Sequence, residues 1–235
     1  MLTSPPVLTP RLSAVANEVG NCKCFSDIGT DHAYLPVYMC LKNNCETAIA
    51  SDINKGPLTR AKKTVSAYGL TERIELRLGG GLFALKENEA DAVSIAGMGG
   101  LLIAKILDDG LFKLTNATKI VLQPMSSIPE LRRHLYNNGW KITKEVLSKE
   151  DEKIYTIMTV ETPDKNNKTI YAPSNTELYI GKYLMENKPE FFDEYLNKKT
   201  TKLRKMICEL KKSQSYTSAQ KIKLSEEILR ELERI

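Results

Sequence analysis

The chain has 235 residues, 42% hydrophobic and 27% charged, with a formal net charge of +5 and a pI near 8.8; this suits one large domain, or one full domain with a smaller appendage. No stretch approaches the roughly 20 apolar residues of a membrane span, and "MLTSPPVLTPRLSAVANEV" has no positive n-region ahead of an apolar run, so the expectation is a cytoplasmic protein without a secretory signal. The mild basicity permits a polyanionic partner without requiring one.

In chain order, apolar runs bounded by turn residues alternate with amphipathic segments. After a proline-rich start, "RLSAVANEV" places Leu12, Val15, Ala16 and Val19 at helical spacing. "CKCFSDIG" reads as the first strand, and "AYLPVYMCLKNN" as a helix with Pro36 near its start. The five cysteines are expected to be reduced thiols. Cys22, Cys24, Cys40 and Cys45 lack knuckle spacing, and only two histidines are present, so no metal site is predicted. "TAIASDI" is the second strand, and "KGPLTRAKKTVSAYGL" a helix ending at Gly69. "RIELRLGG" and "ADAVSIAG" are the third and fourth strands, followed by the helix "GGLLIAKILDDG". "TKIVLQP" is the fifth strand and "IPELRRHLYNNG" a helix with Pro129 in its first turn. "WKITKEVLSKEDEKIYTIMTVE" has two alternating runs around a polar turn, which is a β-hairpin pattern.

This order predicts an α/β fold, a parallel sheet covered by helices on both faces with an antiparallel hairpin at its edge, over residues 1–162. Residues 163–175 read as a polar linker. From 176 to 235 strand signals stop. Phe192, Leu196, Leu203, Ile207 and Leu210, then Ile228, Leu232 and Ile235, recur at helical spacings. Two long helices folded on one another are expected, with one shorter helix before Pro189; because they can pair with each other, a monomer is expected.

In such a sheet, ligands bind beyond the carboxyl ends of the strands. The first strand end supplies Asp27, Gly29, Thr30, Asp31 and His32; the second supplies Asp52 and Ile53. The third supplies Gly79, Gly80 and Gly81, and the fourth Gly97, Met98, Gly99 and Gly100. A dinucleotide would call for G-x-G-x-x-G at the first turn, whereas "DIGTDH" has one glycine and two carboxylates that repel phosphate. No P-loop is present. S-adenosylmethionine suits these ends better, because carboxylates attract its sulfonium and amino group. Asp52 is placed to grip a ribose diol, with Ile53 against the adenine and Gly80 and Gly81 as further cofactor contacts. Asp52 could instead cap the next helix, and Asp27 and Asp31 could be turn acids.

At "SDIGTDHAYLP", "IAGMGG" and "VLQP", in this order, with "GPLTRAKKTV" and "RLSAVA" as further matches, the chain resembles the bacterial tRNA adenine-22 N1-methyltransferases. The resemblance covers residues 8–160 by motif. It implies a Rossmann-like class I methyltransferase domain followed by a helical coiled-coil domain, with S-adenosylmethionine as cofactor and tRNA as partner. It further implies that Asp27, Gly29, Asp31 and His32 line the methionine end, that Asp52 takes the ribose, and that Ala96, Gly97, Met98 and Gly99 form the floor between cofactor and target base. Two positions depart from the family pattern. "GGGL" replaces Gly-Asp-Gly-Leu, so Gly80 lacks the acid expected near the adenine amino group. Met125 follows Gln123 and Pro124 where the family tends to have asparagine.

Adenine N1 carries a free lone pair at neutral pH, so no catalytic base is required. The base must be unpaired or flipped out, and the reaction rests on in-line positioning. Asp31 is the candidate for stabilising the cationic product, and His32 for holding base or cofactor. Tyr34 could stack on the base, and Gln123 with Pro124 could meet its edge; for His32, Tyr34 and Gln123 the alternatives are a helix-start residue bonded to backbone, a core tyrosine and a strand-ending turn. For RNA, the candidates are Arg11, then Arg60, Lys62 and Lys63 in "RAKK". The run from Lys198 to Lys212 adds seven basic residues against one Glu209, with Lys199, Lys202 and Lys205 as its candidates. That run could equally be a solvated helix face paired with Glu226, Glu227, Glu231 or Glu233. Competing readings are methylation of another RNA or a small molecule, or a noncatalytic RNA-binding scaffold.

Overall fold

The computed structural model describes residues 2, 4–115, 118–163, 171–212 and 216–234. Its strands are β1 (Cys22–Ile28), β2 (Cys45–Asp52), β3 (Ile74–Leu78), β4 (Ala92–Gly99), β5 (Lys119–Ser126), β6 (Lys141–Glu150) and β7 (Lys153–Glu161). They form one sheet in the order β3-β2-β1-β4-β5-β7-β6. β1 to β5 are parallel, and β7 runs antiparallel to both β5 and β6.

Both faces of β1, β2, β4 and β5 are largely buried, which is why these segments read as nearly continuous apolar runs, whereas the edge strand β3 leaves Glu75 and Leu78 exposed. Helices α1 (Pro10–Val19), α2 (Tyr34–Leu41) and α3 (Lys55–Ala67) cover one face. Their Val15, Val19, Leu35, Val37, Ala61 and Val65 pack with Phe25, Ala48, Ala50 and Val121. Helices α4 (Gly100–Gly110) and α5 (Ile128–Asn137) cover the other, where Ile103, Leu107, Leu131 and Leu135 meet Ile28, Val93, Ile95 and Leu122. Each such aliphatic side chain contributes about 1.5–3 kcal/mol by leaving water. The crossover helices change faces between β1 and β4, so the ligand crevice of this topology opens there.

Both boundaries of α2 differ from the sequence reading. α2 begins at Tyr34 rather than Ala33, because Ala33 sits in the left-handed region at φ 57. It ends at Leu41 rather than Asn44; Asn43, at φ 57, turns the chain into β2, a conformation asparagine tolerates.

Beyond the hairpin lie α6 (Asn175–Ile180), α7 (Lys182–Asn187), α8 (Phe192–Leu210) and α9 (Tyr216–Leu232). Where one short helix was expected before Pro189 there are two, divided at Gly181. A capping box opens α6: Ser174 Oγ accepts from the Glu177 amide while the Glu177 carboxylate accepts from the Ser174 amide. α8 and α9 are antiparallel, since Arg204 pairs with Glu233 and Lys211 with Glu226. Leu203, Ile207, Ile228 and Leu232 form their seam and join Leu147 of β6. The helices are also fixed to the sheet by a fully buried ion pair, Arg132 of α5 with Glu145 of β6, at 2.7 Å. Arg132 Nη1 donates in addition to the Leu178 carbonyl at 2.9 Å. Of the expected linker, residues 164–170 lie outside the described residues, as do 213–215 and Ile235. Among the described residues no helix is long and apolar enough to cross a membrane.

Candidate active site

The turn after β1 is tied to the end of β2 by the amides of Gly29 and Thr30, which both donate to the Ser51 carbonyl, at 2.8 and 2.9 Å. Asp27, the inward acid of β1, is 6% exposed and accepts from Ser94 Oγ of β4 at 2.6 Å. Burial pushes its carboxyl above the usual range, and the Ser94 hydrogen bond and the positive charge of Arg11 only partly offset this. Asp31 and Ala33 both adopt left-handed backbone, at φ 50 and 57. Two non-glycine residues of this kind flanking His32 amount to about 1 kcal/mol or more of stored strain each. The His32 ring stacks on Tyr34 with centroids 5.3 Å apart and planes 7° from parallel. Arg60 reaches over from α3 and donates to Asp31 Oδ1 from Nε, at 3.2 Å, and from Nη2.

At the next strand end, Asp52 Oδ1 accepts from the Asn54 amide at 2.8 Å, closing an Asx turn. The cap position of α3 belongs to Asn54, not Asp52. The Gly79 amide donates to the Asp52 carbonyl at 3.0 Å, holding the glycine run beside it. Arg77 of β3 clamps the segment after that run, donating from Nη1 and Nη2 to the two oxygens of Glu89, at 2.6 and 2.7 Å, and from Nη1 to the Ala84 carbonyl at 3.1 Å.

Two cavities adjoin at the β1/β4 crevice. The larger, about 510 Å³, is lined by the expected Gly29, Asp52, Ile53, Gly80, Gly81, Ala96, Gly97 and Met98. Sequence reasoning missed Phe83, Leu102 and Ile106 there; Leu102 and Ile106 stand one turn apart on α4. The smaller, about 280 Å³, is lined by Arg11, Asp27, Gly29, Asp31, His32, Tyr34, Ala96 and Gly97. An apolar slot with a carboxylate at its side, adjoining an acid-lined pocket, matches the adenine, ribose diol and cationic methionine end of S-adenosylmethionine. Gly80 leaves room rather than a contact, since a Cβ there would meet only the Ile53 side chain, at 3.4 Å.

Gln123 and Pro124 are brought to the crevice but lie behind its wall. Gln123 is fully buried, and its Oε1 accepts from Arg11 Nη1 at 2.7 Å and from the Gly97 amide at 3.1 Å. Arg11 lies over the Tyr155 ring, 5.7 Å from its centroid. Gly99 caps α4 and lines neither cavity. Lys62 and Lys63 are exposed on α3. On α8, Lys199 lies over Tyr179 and Tyr195, whereas Lys202 and Lys205 are exposed. A third cleft, about 640 Å³, runs from Met125 at the end of β5 past Arg133 to Lys199, Lys202 and Lys221.

A family model described as tRNA (adenine(22)-N(1))-methyltransferase matches residues 25–234. The tRNA (adenine(22)-N(1))-methyltransferase of Bacillus subtilis is 38% identical over 185 residues, 79% of this chain and 78% of that protein. The crystal structure of the B. subtilis m1A22 tRNA methyltransferase superposes with a TM-score of 0.85 at 33% identity, covering 97% of this chain and 98% of that one. A putative tRNA (m1A22) methyltransferase of Streptococcus pneumoniae, solved in complex with S-adenosyl-L-methionine, gives 0.81 at 33% identity over 95% of this chain and 100% of its own.

Proposed function

Because this chain belongs to the tRNA (adenine(22)-N(1))-methyltransferase family, we propose that the two adjoining cavities at the β1/β4 crevice form the site of its S-adenosylmethionine-dependent methylation of tRNA at N1 of adenine 22. The observation that carries this placement is Gly29, which lines both cavities and so joins the Asp52 end to the Asp27 and Asp31 end. When bound, S-adenosylmethionine supplies an electrophilic methyl group on a cationic sulfur.

The chain's own residues orient the partners. Asp52 holds the ribose with the acceptor capacity its carboxylate keeps beyond the Asn54 hydrogen bond. Asp27, buried and biased toward its neutral form, is the partner for the cationic methionine end, which favours its ionised form. The stacked His32 and Tyr34 rings offer a flat, exposed platform for an unpaired base. N1 already carries its lone pair, so no residue has to remove a proton before transfer. The product ring is cationic, and Asp31 at the pocket rim stabilises it. Gln123 acts indirectly by fixing Arg11, which leaves Arg11 at the rim of the base pocket.

Residues 1–162 are the catalytic unit in this reading and 176–235 the arm. The arm's Lys199 and Lys202, with Lys221 and Arg133, line the cleft that starts at Met125 beside the site, which supports a phosphate path there. The enzyme is read as a cytoplasmic monomer, supported by the self-paired seam of α8 and α9. The test is methyl transfer to an unmodified tRNA transcript, mapped by nuclease digestion and mass spectrometry. N1-methyladenosine at position 22, absent when adenosine 22 is replaced by guanosine, is expected; methylation elsewhere overturns the substrate placement.

A further inference from the structure

The two halves of the crevice share Gly29, Ala96 and Gly97, and the Met98 side chain overhangs the first of these. β4 is interrupted by a bulge: Ala96 pairs with Gln123 and Met98 with Pro124, while Gly97, at φ 77, is the extra residue. Alternation would otherwise set Met98 on the same face as Ala96. Instead Ala96 packs toward the α1–α3 side and Met98 toward the α4–α5 side. The displaced side chain ends over Gly29, where a Cβ would lie 2.2 Å from Met98 Cε. The thioether methyl thus occupies space that any other residue at 29 would fill. Gly29 belongs to both cavities, whereas Met98 lines only the larger.

We propose that Met98 is a movable partition: in the free protein its methyl closes the passage over Gly29, and it swings aside when a ligand spans both cavities. The inference rests on the S-adenosylmethionine reading above, because a ligand with adenosine beside Asp52 and its amino acid beside Asp27 must cross Gly29. Methionine suits the role chemically. It is unbranched, with three rotatable bonds, so it leaves one well and packs again with small loss, and its sulfur remains a polarizable neighbour. A β-branched residue, locked at χ1, could not retreat in this way. Met98 is therefore a positioning residue that separates ligands occupying one cavity from those occupying both.

The test uses the wild-type chain labelled with [methyl-13C]methionine, whose seven methionines include Met98, the Met98 resonance being assigned from its loss in Met98→Leu. S-adenosylhomocysteine is expected to move that resonance to a different rotameric shift, whereas adenosine alone leaves it in place. By calorimetry, Met98→Ala should bind S-adenosylhomocysteine about fivefold more tightly, the factor expected when the open arrangement is populated about a fifth of the time in the free protein. Because Met98 also lines the larger cavity, the readout is the ratio of S-adenosylhomocysteine to adenosine affinity, which should rise by about the same factor. Met98→Ile should weaken S-adenosylhomocysteine selectively. If S-adenosylhomocysteine binds while the Met98 resonance stays unmoved, the partition is overturned and the cofactor reading stands. If the wild type does not bind it at all, the cofactor reading falls and the partition with it.

Discussion

Arg60 of α3 donates from both Nε and Nη2 to the same oxygen of Asp31, a residue held at φ 50 in the turn after β1. Both side chains are about half exposed, 48% and 55%, so the pair contributes at most about 1 kcal/mol to stability. Its significance lies in placing a cation beside the carboxylate assigned to the cationic product. Arg60→Met is expected to leave thermal stability within about 1 kcal/mol of wild type. In single-turnover transfer, Arg60→Met/Asp31→Asn should be no slower than Asp31→Asn alone, because Arg60 acts through Asp31. Additive losses would give Arg60 an independent role, such as a phosphate contact.

The buried acid at the other end of the pocket has a pH signature. Burial raises the Asp27 carboxyl above its ordinary value of 3.8. A folded-state pKa raised in this way favours folding most fully below the unfolded value, and that contribution is lost as pH rises through the folded value. Asp27→Asn should therefore melt higher than wild type at neutral pH, by about 0.5–2 kcal/mol, and the advantage should vanish below pH 3.8. The same variant should lose S-adenosylmethionine affinity. Across the Asp27 titration, binding to the wild type should be accompanied by proton release, seen as a buffer-dependent calorimetric enthalpy, with affinity rising as pH rises.

Arg77 serves the side proposed for adenosine by clamping the segment after the glycine run. Its two hydrogen bonds hold the Glu89 carboxyl down at about 2. Arg77→Gln should cost about 1.5–3 kcal/mol at neutral pH, the range for hydrogen bonds to charged groups, and weaken cofactor binding through the displaced glycines. Glu89's contribution is complete above its ordinary value of 4.5 and is lost as pH falls toward 2. Wild type and variant should accordingly converge over that interval in acid unfolding curves.

Gly80 stands where the resemblance described above implies an aspartate. Its backbone, at φ −88 and ψ 123, accepts any residue, and its only close neighbour is the flexible end of Ile53. Gly80→Asp is expected to fold normally and to bind S-adenosylmethionine more tightly by about 0.5–1.5 kcal/mol, the net worth of one added hydrogen bond. Isothermal titration of both proteins reads this directly.

The sheet and its covering helices were legible because both faces of β1, β2, β4 and β5 are buried and the intervening turns carry Gly, Pro and Asn. Asp27, Asp52 and the glycine run could be placed at strand ends for the same reason. What sequence spacing could not carry is long-range competition for the same atoms. Gln123 looked available to a base, yet Arg11, 112 positions earlier, takes its carbonyl oxygen. Arg60 looked free for phosphate, yet Asp31 lies within its reach. The left-handed Asp31 and Ala33, and the bulge that redirects Met98, are backbone features with only Gly97 as a visible marker. The break at Gly181 was hidden because helical periodicity continues on both sides of it.

The most direct test of the site assignment is the single-turnover rate of methyl transfer by Asp31→Asn at saturating S-adenosylmethionine and tRNA, with both affinities measured separately. A fall of about 100- to 1,000-fold, the cost of removing one group aimed at transition-state charge, with both affinities within a few-fold of wild type, is predicted. An unchanged rate, or a loss accounted for entirely by weaker cofactor binding, would contradict the placement of Asp31 against the cationic adenine.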